Sequence, residues 1–96
     1  QTNHEGEIID IIQSAMGGID GMIINAGAYT HYSYAIRDAI EASEIPTVEV
    51  HLSDINSRED FRKVSVIKDV CIAQIFGLGK QGYINAAKLL LTREMN

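Results

Sequence analysis

A glutamate and a histidine two residues apart carry the first chemical signal, within Thr47-Val48-Glu49-Val50-His51-Leu52-Ser53. The segment reads as a β-strand. Strand side chains alternate sides, so Thr47, Glu49 and His51 share one face and Val48 and Val50 the other. Glu49 and His51 are then about 7 Å apart at Cα, close enough for the carboxylate to orient the imidazole. A histidine held in this way is a candidate general acid or base. The competing reading is a polar strand face wetted by solvent. Asn25 closes an earlier apolar run, Gly21-Met22-Ile23-Ile24, and His31 follows near the start of a helix, where free N–H groups favour anions. That spacing lets Asn25, His31 and His51 converge on one pocket. For His31 alone, a local hydrogen bond at a helix terminus is the plainer alternative. Leu52 and Ser53 follow His51 directly, and N–H groups at a strand-end turn can bind a carboxylate or phosphate. An ordinary turn serine is the other option. Arg58, Arg62 and Lys63 add positive charge that can hold a carboxylate or donate to hydroxyls, or can simply be solvated.

The elements that would position these residues follow from periodicity. Thr2 and Glu5 have capping-box spacing before a helix whose inward stripe is Ile8, Ile11, Ile12, Ala15 and Met16. Gly17-Gly18 stops it. The strand at 21–25, a loop at 26–30 and a second helix follow, the helix with Tyr32, Ala35, Ile36, Ala39 and Ile40 inward. Arg37 and Asp38 lie off that stripe, so Asp38 faces water or a neighbouring subunit. Glu44-Ile45-Pro46 ends the helix and leads into the Glu49/His51 strand. Residues 52–65 are expected to form a long polar loop, and such loops are more often functional than accidental. Val70 to Phe76 is expected as a third strand, followed by a turn at 77–82. A last helix starts at about Gln81, with Tyr83, Ile84, Ala87, Leu90 and Leu91 inward. Alternating helices and strands imply a parallel α/β sheet with helices on both faces. In such a sheet Glu49 and His51 lie on a covered strand, so the pair needs partners or a cleft and solvent becomes the poorer explanation. Ligand crevices of open α/β sheets lie at the C-terminal strand ends, where His51 falls.

Ninety-six residues make one domain, 1–96, with a modest core. A net charge of −5 argues against a nucleic-acid binder, which would carry a basic face. The single Cys71 excludes a disulfide framework within the chain and points to a reducing, cytoplasmic setting. No run approaches the length of a transmembrane helix, so no membrane contact is expected. Gly77-Leu78-Gly79-Lys80-Gln81-Gly82 matches a dinucleotide fingerprint, but that site requires a further strand and an acid about 20 residues on. A tight strand-to-helix turn is the better reading. His4, His31 and His51 show no metal-ligand spacing.

These residues in order, Gln1-Thr2-Asn3-His4-Glu5-Gly6-Glu7, Asn25-Ala26-Gly27-Ala28-Tyr29-Thr30-His31, Tyr34-Ala35-Ile36-Arg37-Asp38-Ala39, Glu49-Val50-His51-Leu52-Ser53, Arg58-Glu59-Asp60-Phe61-Arg62 and Gly77 to Tyr83, resemble type II 3-dehydroquinate dehydratase along the whole chain. The resemblance implies a flavodoxin-like parallel sheet, incomplete in this chain, and a homo-oligomer that is a dodecamer built from trimers. It implies dehydration of 3-dehydroquinate to 3-dehydroshikimate in the shikimate pathway, by anti elimination through an enolate, without metal or cofactor. His51 would be the general acid that protonates the departing hydroxyl, with Glu49 holding its imidazole. Asn25, Leu52 and Ser53 would bind the substrate carboxylate, and His31 and Arg62 the ring hydroxyls. Asp38 would reach a neighbouring subunit's site. The family's first strand, its lid and the lid tyrosine that acts as base have no counterpart in these residues. The abrupt start at Gln1 suggests that they lie upstream. Asp54-Ile55-Asn56-Ser57 and Lys63-Val64-Ser65 depart from the family's histidine-containing pattern. Two other classes remain open at this level. One is a non-catalytic module that binds a quinate- or shikimate-like polyhydroxy carboxylate. The weaker one is a nucleotide-binding module using Gly77 to Gly82.

Overall fold

The computed structural model describes residues 1–94, so the last two residues of the expected 1–96 domain lie outside the described residues. Seven elements run in the order α1 (Glu5–Ala15), β1 (Met22–Ile24), α2 (Tyr34–Ser43), β2 (Thr47–His51), α3 (Asp60–Lys63), β3 (Ala73–Phe76) and α4 (Gln81–Glu94). Short 3₁₀ turns occupy Gly27–His31, Ile55–Ser57 and Lys68–Val70. The sheet is three-stranded, wholly parallel and ordered β1-β2-β3, with β2 in the middle.

The register divides the sheet into two unlike faces. Ile24, Glu49 and Gln74 stand side by side, as do Val48 beside Ala73 and Val50 beside Ile75. Val48, Val50 and Ala86 form a core with Ile23, Ala73, Ile75, Leu89 and Leu90, which seats α4 on one face. On the other, Ile12, Ile24, Ala26, Ile36, Ala39, Ile40, Val66 and Ile67 pack together beneath α1 and α2. Helices therefore cover both faces, as the alternation of elements predicts.

Local chemistry explains the boundaries. Ser33 caps α2, its hydroxyl accepting from the Ile36 N–H at 3.1 Å. The same hydroxyl donates to Glu5 in a short contact that ties α1 to the start of α2. Glu44 then turns left-handed at φ 57°, and Pro46 prevents the helix from continuing. The glycine-rich run does make a turn: Gly77 and Gly79 sit at φ 79° and 56°, where a side chain would be strained. Gly82 is required for a different reason. A Cβ there would stand 3.2 Å from Val50 Cγ1, so α4 approaches the sheet as closely as a glycine permits.

Several expectations need correction. No capping box forms at α1: His4 occupies the N-cap without a side-chain bond, Thr2 pairs with Glu7, and Glu5 is engaged by Ser33. Ile11, Met16, Tyr32, Ala35, Ile84 and Leu91 were expected inward and are exposed. Of the expected stripes Ile12, Ile36, Ala39 and Ile40 are buried, and Ser43, Gly82 and Ala86 join them. Residues 52–65 are not a plain loop but hold the Ile55–Ser57 turn and α3. The third strand begins at Ala73 rather than Val70, because Lys68–Val70 coils into a turn first.

Ile36 is fully buried in the α1/α2 core. Ile36→Ala should cost about 2–5 kcal/mol through lost burial and a cavity. A urea unfolding midpoint indistinguishable from that of the parent protein would contradict this packing.

Candidate active site

Strand alternation and parallel pairing bring Glu49 and His51 together at the C-terminal half of the central strand. His51 Nε2 lies 2.5 Å from Glu49 Oε2, with the histidine 6% exposed and the glutamate fully buried. Two further donors reach the same oxygen: the Ser65 hydroxyl at 2.7 Å and the Gln74 side-chain amide at 3.3 Å. Burial pushes the Glu49 carboxyl up, but hydrogen bonds from His51 and Ser65, the His51 charge and the Gln74 amide outweigh it and hold the group below its ordinary value of 4.5. An ionised carboxylate can only accept. His51 Nε2 therefore carries the hydrogen in this bond, and Nδ1 is the nitrogen left for chemistry. Glu49 Oε1 and Thr30 Oγ1 are buried without partners among the described residues, so the charge depends on the three donors at Oε2. Burial and the Glu49 charge also push the Cys71 thiol up to about 12, which keeps it an unreactive thiol.

Ser65 and Gln74 escaped the sequence reading. Gln74 was legible in principle, since a polar residue inside an apolar strand run needs a partner. Ser65 gave no such signal, sitting 16 residues from Glu49 in a polar stretch.

The other expected residues are placed as follows. Asn25 is the residue after β1; its Oδ1 accepts from the Gly27 N–H at 3.1 Å and its Nδ2 donates to the Tyr83 hydroxyl at 3.1 Å. Tyr83 thus turns toward Asn25 rather than into the core. His31 ends the Gly27–His31 turn and places Nδ1 2.7 Å from the Val64 carbonyl. A carbonyl accepts, so Nδ1 carries the hydrogen in this bond and Nε2 is the nitrogen left over. Leu52 and Ser53 follow His51, as expected; the Leu52 carbonyl accepts from Gly79 N–H and the Ser53 hydroxyl from Arg58, at 3.2 Å. Arg62 stacks on Phe61, its guanidinium carbon 4.8 Å from the ring centroid, and pairs with Glu59 at 3.0 Å. That pair is half-exposed and weak enough to yield to a ligand. Phe61 in turn meets His31 edge-on, with centroids 6.3 Å apart. Asp38 is exposed on α2, away from all of these, whereas Arg37 folds back to the Val66 carbonyl at 2.8 Å.

Asn25 lines a cavity of about 730 Å³ with Gln1 to Asn3, Gly27, Ala28, Tyr29, Tyr32 and Tyr83, and neither His31 nor His51 borders it. The segment around Val64 and Ser65 touches both histidine-bearing elements, reaching His31 through the Val64 carbonyl and Glu49 through the Ser65 hydroxyl. Among the described residues no group of three or more His, Cys, Asp or Glu is placed to hold a metal, and no helix is long and apolar enough to cross a membrane.

A family model described as Dehydroquinase class II matches residues 1–91. The chain is 63% identical over 87 residues to the 3-dehydroquinate dehydratase of Caldicellulosiruptor saccharolyticus, covering 90% of this chain and 60% of that protein. It is 58% identical over 97 residues to that of Clostridium beijerinckii, covering 100% of this chain and 66% of that protein. The chain thus spans less than two thirds of the length of these curated relatives. The crystal structure of the type II dehydroquinase from Butyrivibrio crossotus superposes with a TM-score of 0.92 at 57% identity, covering 95% of this chain and 64% of that one. The type II dehydroquinase from Propionibacterium acnes gives 0.90 at 38% identity, covering 96% and 68%.

Because the Glu49 carboxyl is held low in the fold, the unfolded chain binds its proton first as pH falls. Its stabilisation is complete above 4.5 and is lost as pH drops through the lower folded value. The unfolding free energy should therefore decline in acid by up to about 1.4 kcal/mol per pH unit from this group. Ser65→Ala removes a donor and raises the folded value toward 4.5, so the decline should start at the same pH but end sooner and be smaller. Urea titrations across the acid range that superpose for the parent and Ser65→Ala would refute this role for Ser65.

Proposed function

The chain belongs to the class II dehydroquinase family, and on that premise we propose that the protein dehydrates 3-dehydroquinate to 3-dehydroshikimate within the shikimate pathway. The observation that carries this reading is the buried Glu49–His51 pair, with its second imidazole nitrogen unspent at the end of the central strand. The reaction removes a proton from C2 and then expels a hydroxyl from the neighbouring carbon through an enolate. Hydroxide is a poor leaving group and departs as water only if an acid supplies a proton. His51 is that acid, delivering the proton from Nδ1 while Glu49, ionised and immobile, favours the imidazolium and fixes the ring.

Substrate recognition divides by chemistry. Asn25 and the backbone at Leu52 and Ser53 take the carboxylate. His31 accepts from a ring hydroxyl through Nε2, and Arg62 donates to another after leaving Glu59. The base is a tyrosine outside these 96 residues. Asp38, exposed and remote from the Glu49–His51 pair, acts across an interface in a dodecamer built from trimers. The same reading places the protein in the cytoplasm.

In the complete protein, His51→Ala should lower kcat by about 10²–10⁴-fold while leaving binding of a substrate-like inhibitor measurable. Near-normal turnover would mean that another group is the acid. Quinate binding by calorimetry with no turnover in the parent protein would favour the non-catalytic alternative. Asp38→Asn should reduce activity through the neighbouring subunit, so oligomers mixed with His51→Ala chains should regain part of it. If mixing restores nothing, Asp38 acts only within its own chain.

A further inference from the structure

The backbone decides which way the Asn25 amide faces. Gly27 N–H is a donor only, so the atom 3.1 Å from it is the amide oxygen, and Nδ2 is the atom that reaches Tyr83. Nδ2 gives one hydrogen to the Tyr83 oxygen and keeps the other. Tyr83 spends a lone pair on that bond, and its own hydrogen has no acceptor among the described residues. Both side chains border the cavity of about 730 Å³. Tyr83 cannot drift away from this arrangement easily. It belongs to the first turn of α4, and the adjacent Gly82 brings that turn so close to Val50 that an added Cβ would stand 3.2 Å from Val50 Cγ1.

We propose that Tyr83 is a positioning and specificity residue: it locks the Asn25 amide so that Asn25 Nδ2–H and the Tyr83 hydroxyl present two adjacent donors to the carboxylate end of the substrate. The proposal rests on the assignment of Asn25 to that carboxylate. Two neutral donors select an anionic oxygen without a cation beside it. They also explain why a tyrosine 58 residues away from Asn25 turns out of its helix's apolar stripe.

The test is a double-mutant cycle in the complete protein. Tyr83→Phe keeps the ring and removes the oxygen. It should raise KM for 3-dehydroquinate about tenfold, the worth of one hydrogen bond to a charged group, with kcat and the thermal midpoint nearly unchanged. Asn25→Ala should raise KM at least as far, and the double variant should lose clearly less than the product of the two single losses, since the part of the Tyr83 effect that acts through Asn25 vanishes with the residue positioned. An unchanged KM in Tyr83→Phe overturns the proposal. So does a double variant whose loss is the product of the two single losses. If the parent protein does not turn over 3-dehydroquinate, the dehydratase reading fails on its own. The same variants are then compared by their calorimetric affinity for quinate: a similar tenfold weakening in Tyr83→Phe supports the proposal, and equal affinity overturns it.

Discussion

A carboxylate buried in the middle of a sheet is the constraint on which the rest of this molecule turns. Removing a charge from water is costly, and the cost is met only if several donors arrive with good geometry. Glu49 draws those donors from its own strand, from the neighbouring strand and from the segment between them. The sheet register is thereby specified twice. A one-residue slip of β2 would carry Glu49 onto the face where Val48 and Val50 meet α4, which offers it no polar partner. The apolar demand of one face and the polar demand of the other select the same pairing.

That division also localises the chemistry. The face under α4 is apolar, with Val48, Val50 and Ala86 fully buried, and it holds the strands together. The opposite face changes character along β2, from the buried Thr47 near its start to Glu49 and His51 at its end. Ile55, Val66 and Ile67 anchor the intervening segment in the core, while the charged residues of α3 between them stay largely at the surface. The segment is thus buried at both ends and exposed in the middle.

The pairing of Glu49 with His51 was legible because strand alternation is a local rule, fulfilled within three residues. The architecture was legible for a similar reason, since the order of helices and strands restricts how a short chain can cross over. The partners of Glu49 were harder, because they depend on register and on where a loop lands. Helical stripes misled in a consistent way. Ile11 and Leu91 belong to helices flanking β1, and each borders a concavity that also contains Ile23 of that strand, beside the free edge of the sheet. Periodicity says which residues share a helix face. It does not say whether that face is covered. The capping box failed for a comparable reason: Glu5 has the right spacing to serve its own helix but is engaged by a hydroxyl from the next one.

That hydroxyl has one more consequence. Ser33 accepts from the first turn of α2 while donating to Glu5 in the first turn of α1, so a single side chain caps one helix and ties it to the other. Neither can open alone without leaving an uncompensated polar group behind at a buried position. The two helices therefore form one cooperative unit of local unfolding, distinct from α4 on the far side of the sheet. The amides of α2's first turn are therefore expected to share the exchange protection of α1 rather than of the strand they lead to.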